Sequence, residues 1–387
     1  MIKACSAYTD ELDDTLAAVS SIKSQIGQLK KNTVGIISCY ADFVDTGAYK
    51  AICDALPFET IGTTTIANME NGSSENILLT LLVLTSDDVS FSVGLTAGLP
   101  GEDEAPLASA YKTAAAKLPA KPAMMLSFAP LLMNVSGDFY ANAFDKISGG
   151  VPNFGTLAVD HYEDYSHAQV LAGGEAYSDR YAFILISGDI SPKFFIAGIS
   201  PEKFFQEKGL VTSSKGNQLQ SVNNAPVIDY MLSLGLNKGA DGSIVGVNSF
   251  PFIVDMKDGA APVVRATFAI TPDGSAVCGG NIPVGSVISV ATIESDDILS
   301  TTEKTVKEVV SSGKHSLIIM FSCVGRYFSL GFDPTIEMEK IRGILGGSDV
   351  PYFFAYSGGE ICPVYNQKDG KTTANKNHND TLVICAI

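Results

Sequence analysis

No stretch of this sequence stays apolar for long enough to cross a bilayer, because the longest hydrophobic runs, such as Ile77 to Leu84, have the length of a strand. Met1 to Asp10 lacks the basic start and apolar stretch of a secretory leader, so a soluble, cytoplasmic chain is expected. Charge is scarce and one-sided. Charged residues make up 18%, the net charge is -16 at pH 7, and there is no Lys/Arg cluster to reverse it locally. That balance opposes phosphate backbones and anionic lipid, so neither nucleic acid nor membrane is an expected partner. Seven cysteines (Cys5, Cys39, Cys53, Cys278, Cys323, Cys362, Cys385) contain no C-x-x-C pair and are odd in number and scattered. They read as reduced core thiols, neither a disulfide frame nor a zinc site. The phosphate loop G-x-x-x-x-G-K-[ST], a G-x-G-x-x-G after a strand, H-E-x-x-H and G-x-S-x-G are missing as well, so no cofactor and no metal is expected. Tryptophan is also absent, which decides nothing.

What is present is apolar patterning in bulk: 46% of 387 residues are hydrophobic, enough for a large core in one composite domain or two intimately packed ones. The same order of elements is legible three times. In the first pass a strand at Ile2 to Tyr8 leads, after Asp10 as helix cap, into Leu12, Leu16, Val19, Ile22, Ile26 and Leu29 at helical spacing. A buried strand at Val34 to Cys39, a short helix stopped by Pro57, and strands at Thr60 to Ile66 and Ile77 to Leu84 follow. The second pass has its buried strand at Met124 to Phe128 and later strands at Phe154 to Val159 and Tyr181 to Ser187. The third opens with Val287 to Ile293, continues into a helix with Ser300 and Glu303 as a capping box, and has its buried strand at Leu317 to Ser322. Strands at Tyr352 to Tyr356 and Thr381 to Ile387 complete it. The pattern predicts an α/β protein of mixed sheets layered with helices, built from three strand-helix-strand-helix-strand-strand repeats in two packed domains. A stretch of different character, with a hairpin at Lys215-Gly216-Asn217 and a helix from about Pro226 to Leu234, separates passes two and three. The domain boundary is placed near Pro201 to Gly209, giving domains 1–205 and 206–387.

Several strings in the C-terminal half are similar to one family's C-terminal domain. Phe321-Ser322-Cys323-Val324-Gly325-Arg326 resembles its strand-end segment, Gly359-Glu360-Ile361-Cys362-Pro363 its Gly-Glu-Ile element, and His378-Asn379-Asp380-Thr381 its terminal His-Asn-x-Thr. Ala225-Pro226-Val227-Ile228-Asp229-Tyr230 and Arg265, before the turn Pro272-Asp273-Gly274, fall in comparable places. Upstream, Gly62-Thr63-Thr64-Thr65 sits where that family has a Gly-Cys-Ser-Thr-like strand end, with Ala67-Asn68 in place of its Gly-Glu. The chain thus resembles the FIST family, with an N-terminal part of two repeats and a C-terminal part holding the insertion and the third. The resemblance implies a cytoplasmic, bacterial sensory module for signal transduction that binds small molecules such as amino acids. The two parts consume the chain, so output is expected to need a separate signalling protein.

The candidate ligand-binding residues are Arg326, Glu360, Gly359, Cys323, His378, Asn379, Arg265 and Asp160. Arg326 and Asp160 follow strands at the carboxyl end, where open α/β sheets bind ligands, and a guanidinium fork suits a carboxylate. Arg326 can equally form an ion pair with Glu337 or Glu360. Glu360, after Gly358-Gly359, has the backbone freedom to reach a ligand amine, so the pair matches a zwitterion: an amino acid or small carboxylate in a cleft between the halves. The rival reading is a hydrolase or transferase using Cys323, or the Glu360 and His378 pair. His161, Glu163, Asp164 and His167 read as a solvated turn rather than a metal site.

Overall fold

The computed structural model describes residues 1–132, 134–162, 164–240, 242–365 and 372–387. The first repeat is β1 (Lys3–Thr9), α1 (Thr15–Gln25), β2 (Asn32–Cys39), the single turn α2 (Asp42–Asp45), α3 (Ala48–Ala55), β3 (Thr60–Thr64), the hairpin β4 (Asn68–Glu70) and β5 (Ser74–Glu75), and β6 (Leu79–Ser86). The second is β7 (Ser90–Leu95), α4 (Glu104–Ala115), β8 (Met124–Ala129), α5 (Gly137–Ser148), β9 (Asn153–Leu157), the hairpin β10 (Val170–Ala172) and β11 (Glu175–Tyr177), and β12 (Ala182–Ser187). The third opens with β13 (Lys193–Ala197) and is interrupted by an insertion: β14 (Gly209–Lys215), β15 (Gln218–Val222), β16 (Ala225–Pro226), α6 (Val227–Ser233), β17 (Phe252–Asp255), β18 (Val263–Arg265), β19 (Thr267–Ile270), β20 (Ala276–Cys278) and β21 (Val287–Val290). It resumes with α7 (Ser295–Ser311), β22 (Ile318–Cys323), α8 (Val324–Ser329), α9 (Pro334–Leu345), β23 (Tyr352–Ser357), the hairpin β24 (Glu360–Tyr365) and β25 (Thr372–His378), and β26 (Leu382–Ala386).

The repeats build three six-stranded sheets with one strand order: β1-β6-β2-β3-β10-β11, β7-β12-β8-β9-β24-β25 and β13-β26-β22-β23-β4-β5. The expected buried strands β2, β8 and β22 hold the same third place, each parallel to its neighbour β3, β9 or β23. In every sheet the last two strands come from another repeat. The first repeat's hairpin β4–β5 extends the third sheet, the second's β10–β11 extends the first, and the third's β24–β25 extends the second. This cyclic exchange means that no repeat completes its own sheet.

All three sheets turn one face to a shared interior. Ile36 and Leu82 from the first, Leu126 and Phe154 from the second, and Ile319 and Phe321 from the third form one buried cluster. Phe321 stacks on Phe154 at 5.4 Å between ring centroids and meets Phe128 edge-on at 6.3 Å, tying the second and third sheets together. The outer faces are covered by helices: α1 and α3 on the first sheet, α4 and α5 on the second, α7 and α9 on the third. Among the described residues no helix is long and apolar enough to cross a membrane.

Three local expectations are corrected. Val287 to Ile293 does not open the third repeat; as β21 it pairs with β17 and β14 in the insertion's sheet, and β13 holds the opening place beside β26. The insertion separates β13 from α7 by nearly a hundred residues, so the apolar run nearest the helix drew the assignment. Asp14, not Asp10, caps α1, its carboxylate accepting the N–H groups of Leu16 and Ala17 at 3.0 Å. The Ser300–Glu303 capping box does not form, because α7 begins at Ser295 and Glu303 instead pairs with Lys307 and Lys340.

Phe321 touches two sheets of the shared interior, so truncating it removes contacts that no single helical layer can replace. Phe321→Ala is expected to cost about 3–5 kcal/mol, read as a lower urea midpoint by far-UV circular dichroism. A loss under about 1 kcal/mol would contradict the shared interior.

Candidate functional site

The parallel pairs end at the same end of the molecule, and their carboxyl ends are stitched across the sheets. Thr65 Oγ1 donates to the Tyr356 carbonyl at 2.9 Å, Thr156 Oγ1 to Ser357 Oγ at 2.7 Å, and the Leu157 N–H to the Gly359 carbonyl at 2.8 Å. Above the apolar interior lies a buried polar layer that includes Ser38, Thr63, Asn68, Thr156, Ser357 and Glu360. Register shows how Glu360 enters it. Val170, Glu360 and Asn68 stand opposite Thr63, Thr156 and Ala355, at equivalent places in the three sheets. Val170 and Ala355 belong to the shared core, so Glu360 and Asn68 are directed to the same interior.

The three C-terminal strings converge here. Thr381 Oγ1 donates to Glu360 Oε2 at 2.8 Å, and the Cys323 N–H donates to the Thr381 carbonyl at 2.9 Å. Gly325 admits Asp380 against its backbone, since a Cβ at that position would lie 2.0 Å from Asp380 Oδ1. Glu360 and Asp380 are buried, and Glu360 Oε1 and Asp380 Oδ2 have no hydrogen-bond partner. Asn377 Oδ1 and Asn379 Oδ1, on the same segment, are also buried and unpartnered. Gly359 brings its backbone against this segment at φ 145°, which an L side chain rarely adopts. Asp380 itself is left-handed at φ 52°, as is Tyr165, whose ring lies near Cys323 and Asp160.

Electrostatics follow from burial. Desolvation holds the Glu360 carboxyl well above the usual carboxylate range, and neighbouring Asp380 adds to it. Burial pushes Asp380 up to about 7 even though Arg326 opposes the shift. The Cys323 thiol is raised by burial and then by Glu360 and Asp380, so it stays protonated. His378 stands opposite Glu360 in the β24–β25 ladder with Nε2 3.4 Å from the Cys362 carbonyl. Burial, with Arg265 nearby, lowers its pKa to about 3.

The two arginines are engaged elsewhere. Arg326, on α8, donates to Glu337 Oε1 from Nη2 at 2.7 Å and from Nε at 3.1 Å, and to Thr302 and the Ile298 carbonyl. Ser322 completes Glu337 at 2.7 Å, giving a buried, satisfied ion pair. Arg265 locks the insertion to the second and third repeats, donating to Asp138 Oδ1 at 2.7 Å and to the Asn377 carbonyl at 2.8 Å. Asp160 Oδ1 accepts the Tyr162 N–H at 2.7 Å and Oδ2 the His167 N–H at 2.5 Å, which closes the loop after β9. Tyr40, which follows β2, packs on His161 of that loop, and Tyr162 and His167 continue the row of rings. Among the described residues no three His, Cys, Asp or Glu side chains converge as metal ligands, and Glu163 lies outside the described residues. A surface cleft of about 450 Å³ lies away from these strings, lined by residues including Glu59, Val93, Ser109 and Lys117 at the seam of the first two sheets.

The structure therefore brings Glu360, Gly359, Cys323, Asn379 and His378 into one region, with Arg326 behind it, Arg265 at its insertion side and Asp160 in the adjacent loop. Sequence reasoning missed Asp380, Asn377, Asn68 and Ser38. Asp380 sits inside the quoted His378–Thr381 string, so its signal was present. Asn68 was quoted in the Ala67-Asn68 string, but only the exchange of its hairpin directs it inward, and Ser38 gave no signal beyond its place on the inward face of β2.

Two measurements test this geometry. Removing Arg326 leaves Glu337 as an unpaired buried charge, so Arg326→Met is expected to destabilise the fold by about 3–5 kcal/mol in urea titrations; a neutral result would dissolve the pair. For Asp380 the folded chain keeps a proton through a window in which the unfolded chain, with the ordinary value of 3.8, has released it. Its stabilising contribution is full below about pH 4 and is lost as pH rises toward about 7. The native protein should lose stability relative to Asp380→Asn across that window, by up to a few kcal/mol. Parallel pH profiles would show that Asp380 titrates normally.

Comparison with known proteins places most of the chain. A FIST N domain model matches residues 33–225 and a FIST C domain model residues 227–363. No curated protein matches. Among solved structures the chain is similar to cyanuric acid hydrolase from A. caulinodans at 10% identity and a TM-score of 0.38, covering 100% of this chain and 99% of that one. A second cyanuric acid hydrolase structure, described as an evolutionary innovation by structural concatenation, gives 10% identity and a TM-score of 0.37, with 100% and 98% covered. FIST domains are sensory domains that bind ligands. With both domain models matched in order over most of its length, this chain belongs to the FIST family.

Proposed function

We propose that the chain is a cytoplasmic sensory protein that binds a small polar molecule, of the size of an amino acid or small carboxylate, at the strand ends where the three C-terminal strings meet. The observation that carries the reading is the pair of buried, unpartnered carboxyl oxygens on Glu360 and Asp380, both near Cys323. A fold rarely leaves two such atoms together without a use, because each costs desolvation that nothing repays. Glu360 lies on β24, which pairs with β9 of the second repeat, so the proposed site falls between the N-terminal domain (1–205) and the C-terminal domain (206–387). Gly359, Cys323, Asn379 and His378 would line or orient it. Arg326, Arg265 and Asp160 would support it through Glu337, Asp138 and the β9 loop. Seven unpaired cysteines suit a reducing compartment, and the signal would pass to a separate protein.

Sensing is favoured over hydrolysis or transfer by the state of the reactive groups. A buried thiol raised further by two nearby carboxyls is a poor nucleophile, and an imidazole with a pKa of about 3 is a weak base. The test is a thermal-shift screen of amino acids, amines and small carboxylates. A ligand of the native state should raise the melting temperature progressively, adding about 2.7 kcal/mol at a hundred times its Kd. A library of such compounds without one concentration-dependent shift would defeat the reading.

A further inference from the structure

Resting on that ligand-binding reading, we infer that the site selects a protonated primary amine, taken between Glu360 and Asp380, and does not require a carboxylate on the ligand. The first support is charge. Arg326, Glu337, Glu360 and Asp380 form a buried group of one cation and three carboxyls. Glu337 occupies the Arg326 guanidinium from both Nε and Nη2, and Thr302 and the Ile298 carbonyl take its remaining Nη2 capacity. An incoming anion would meet two acidic side chains and an arginine already neutralised.

The second support is the kind of atom left over. Glu360 Oε1 and Asp380 Oδ2 are the two carboxyl oxygens left without a partner near Cys323. An alkylammonium brings three donors and a positive charge, so it would bond both oxygens and favour the ionised form of both carboxyls. A carboxylate would bring a further negative charge to the same place. Gly325 holds Asp380 in place, because a Cβ there would meet Asp380 Oδ1 at 2.0 Å. Two residues near the cluster, Asp380 and Tyr165, hold left-handed backbone, the kind of strain that persists where a site uses it. A divalent metal is less suited, since no third His, Cys, Asp or Glu converges among the described residues.

The experiment measures melting temperature and calorimetric Kd at matched ionic strength with L-alanine, ethylammonium, propionate, tetramethylammonium, potassium chloride and calcium chloride. Alanine and ethylammonium are expected to stabilise the protein, and propionate and tetramethylammonium are not. Glu360→Gln and Asp380→Asn should each weaken ethylammonium at least tenfold, while the unliganded variants melt no lower than the native protein at pH 7.5, because neutral isosteres remove a buried acid. A merely structural role would lower both readings together. Propionate binding without ethylammonium binding overturns the amine proposal and leaves a ligand-binding site standing. An equal shift from potassium or calcium assigns the site to an inorganic cation and overturns it too. Silence from every probe here, with a response elsewhere in the wider screen, overturns the amine alone; silence throughout defeats ligand binding as well.

Discussion

Three sheets closing around one interior is the constraint from which the remaining structure follows. Each sheet has four strands of its own repeat and two from another, passed round in a ring. A repeat on its own would expose the edge of β3, β9 or β23 and leave its own hairpin without a ladder, so pairing and hydrophobic burial are satisfied together or not at all. The ring also decides where chemistry can gather. It sets the three parallel pairs with their carboxyl ends at one end of the molecule and delivers the first residue of each hairpin, Asn68, Val170 or Glu360, to the top of the neighbouring sheet.

Equivalence of position makes the differences between the three hairpin starts informative. Valine at 170 continues the apolar core, and asparagine at 68 is half satisfied, donating to the Leu78 carbonyl at 2.9 Å while its oxygen stays unpartnered. Glutamate at 360 makes the corresponding contact with Thr381. The same architecture tolerates valine, so a carboxyl there is not demanded by folding. Burial of an acid costs stability whether it is ionised or protonated, and that cost distinguishes the third hairpin from the others. Arg326 does not relieve it directly: its own buried partner is Glu337, and the satisfied pair leaves Glu360 and Asp380 as surplus acids.

Periodicity carried the elements. The spacing of Ile36, Leu126 and Ile319 in short apolar runs, each bounded by a helix, was enough to align three passes and place their central strands. Strand exchange was not legible, because pairing between residues as distant as Asn68 and Ala355 leaves no local pattern, and strands of two or three residues such as β5 and β10 are too short for an alternation to register. The opening strand β13 was missed for a related reason: an insertion with its own sheet stands between it and its helix. At the site, the strings around Cys323, Gly359 and His378 were visible as strings, and their convergence needed the fold. Arg326 was open between a ligand and Glu337, since a sequence shows that a partner is in reach without showing which hydrogen bonds complete it.

The segment from Asn377 to Thr381 ties the third sheet to the insertion. Its first residue is held by the insertion, through Arg265 on the Asn377 carbonyl and the Gly279 carbonyl on Asn377 Nδ2. Its last residue bonds Glu360 through the side chain and Cys323 through the carbonyl. Asp380 lies between them in left-handed backbone, against Gly325 at the start of α8. A group that bonded both Glu360 and Asp380 would therefore act on a short strained segment whose ends are fixed in two different bodies of structure, the insertion and the third sheet. Close-packed interiors transmit such changes as small displacements of whole elements instead of absorbing them. The elements with least freedom to ignore a shift are α8, which begins beside Asp380, and β18, which carries Arg265. Both the left-handed Asp380 and the Arg265 latch lie on the path between the surplus acids and the insertion.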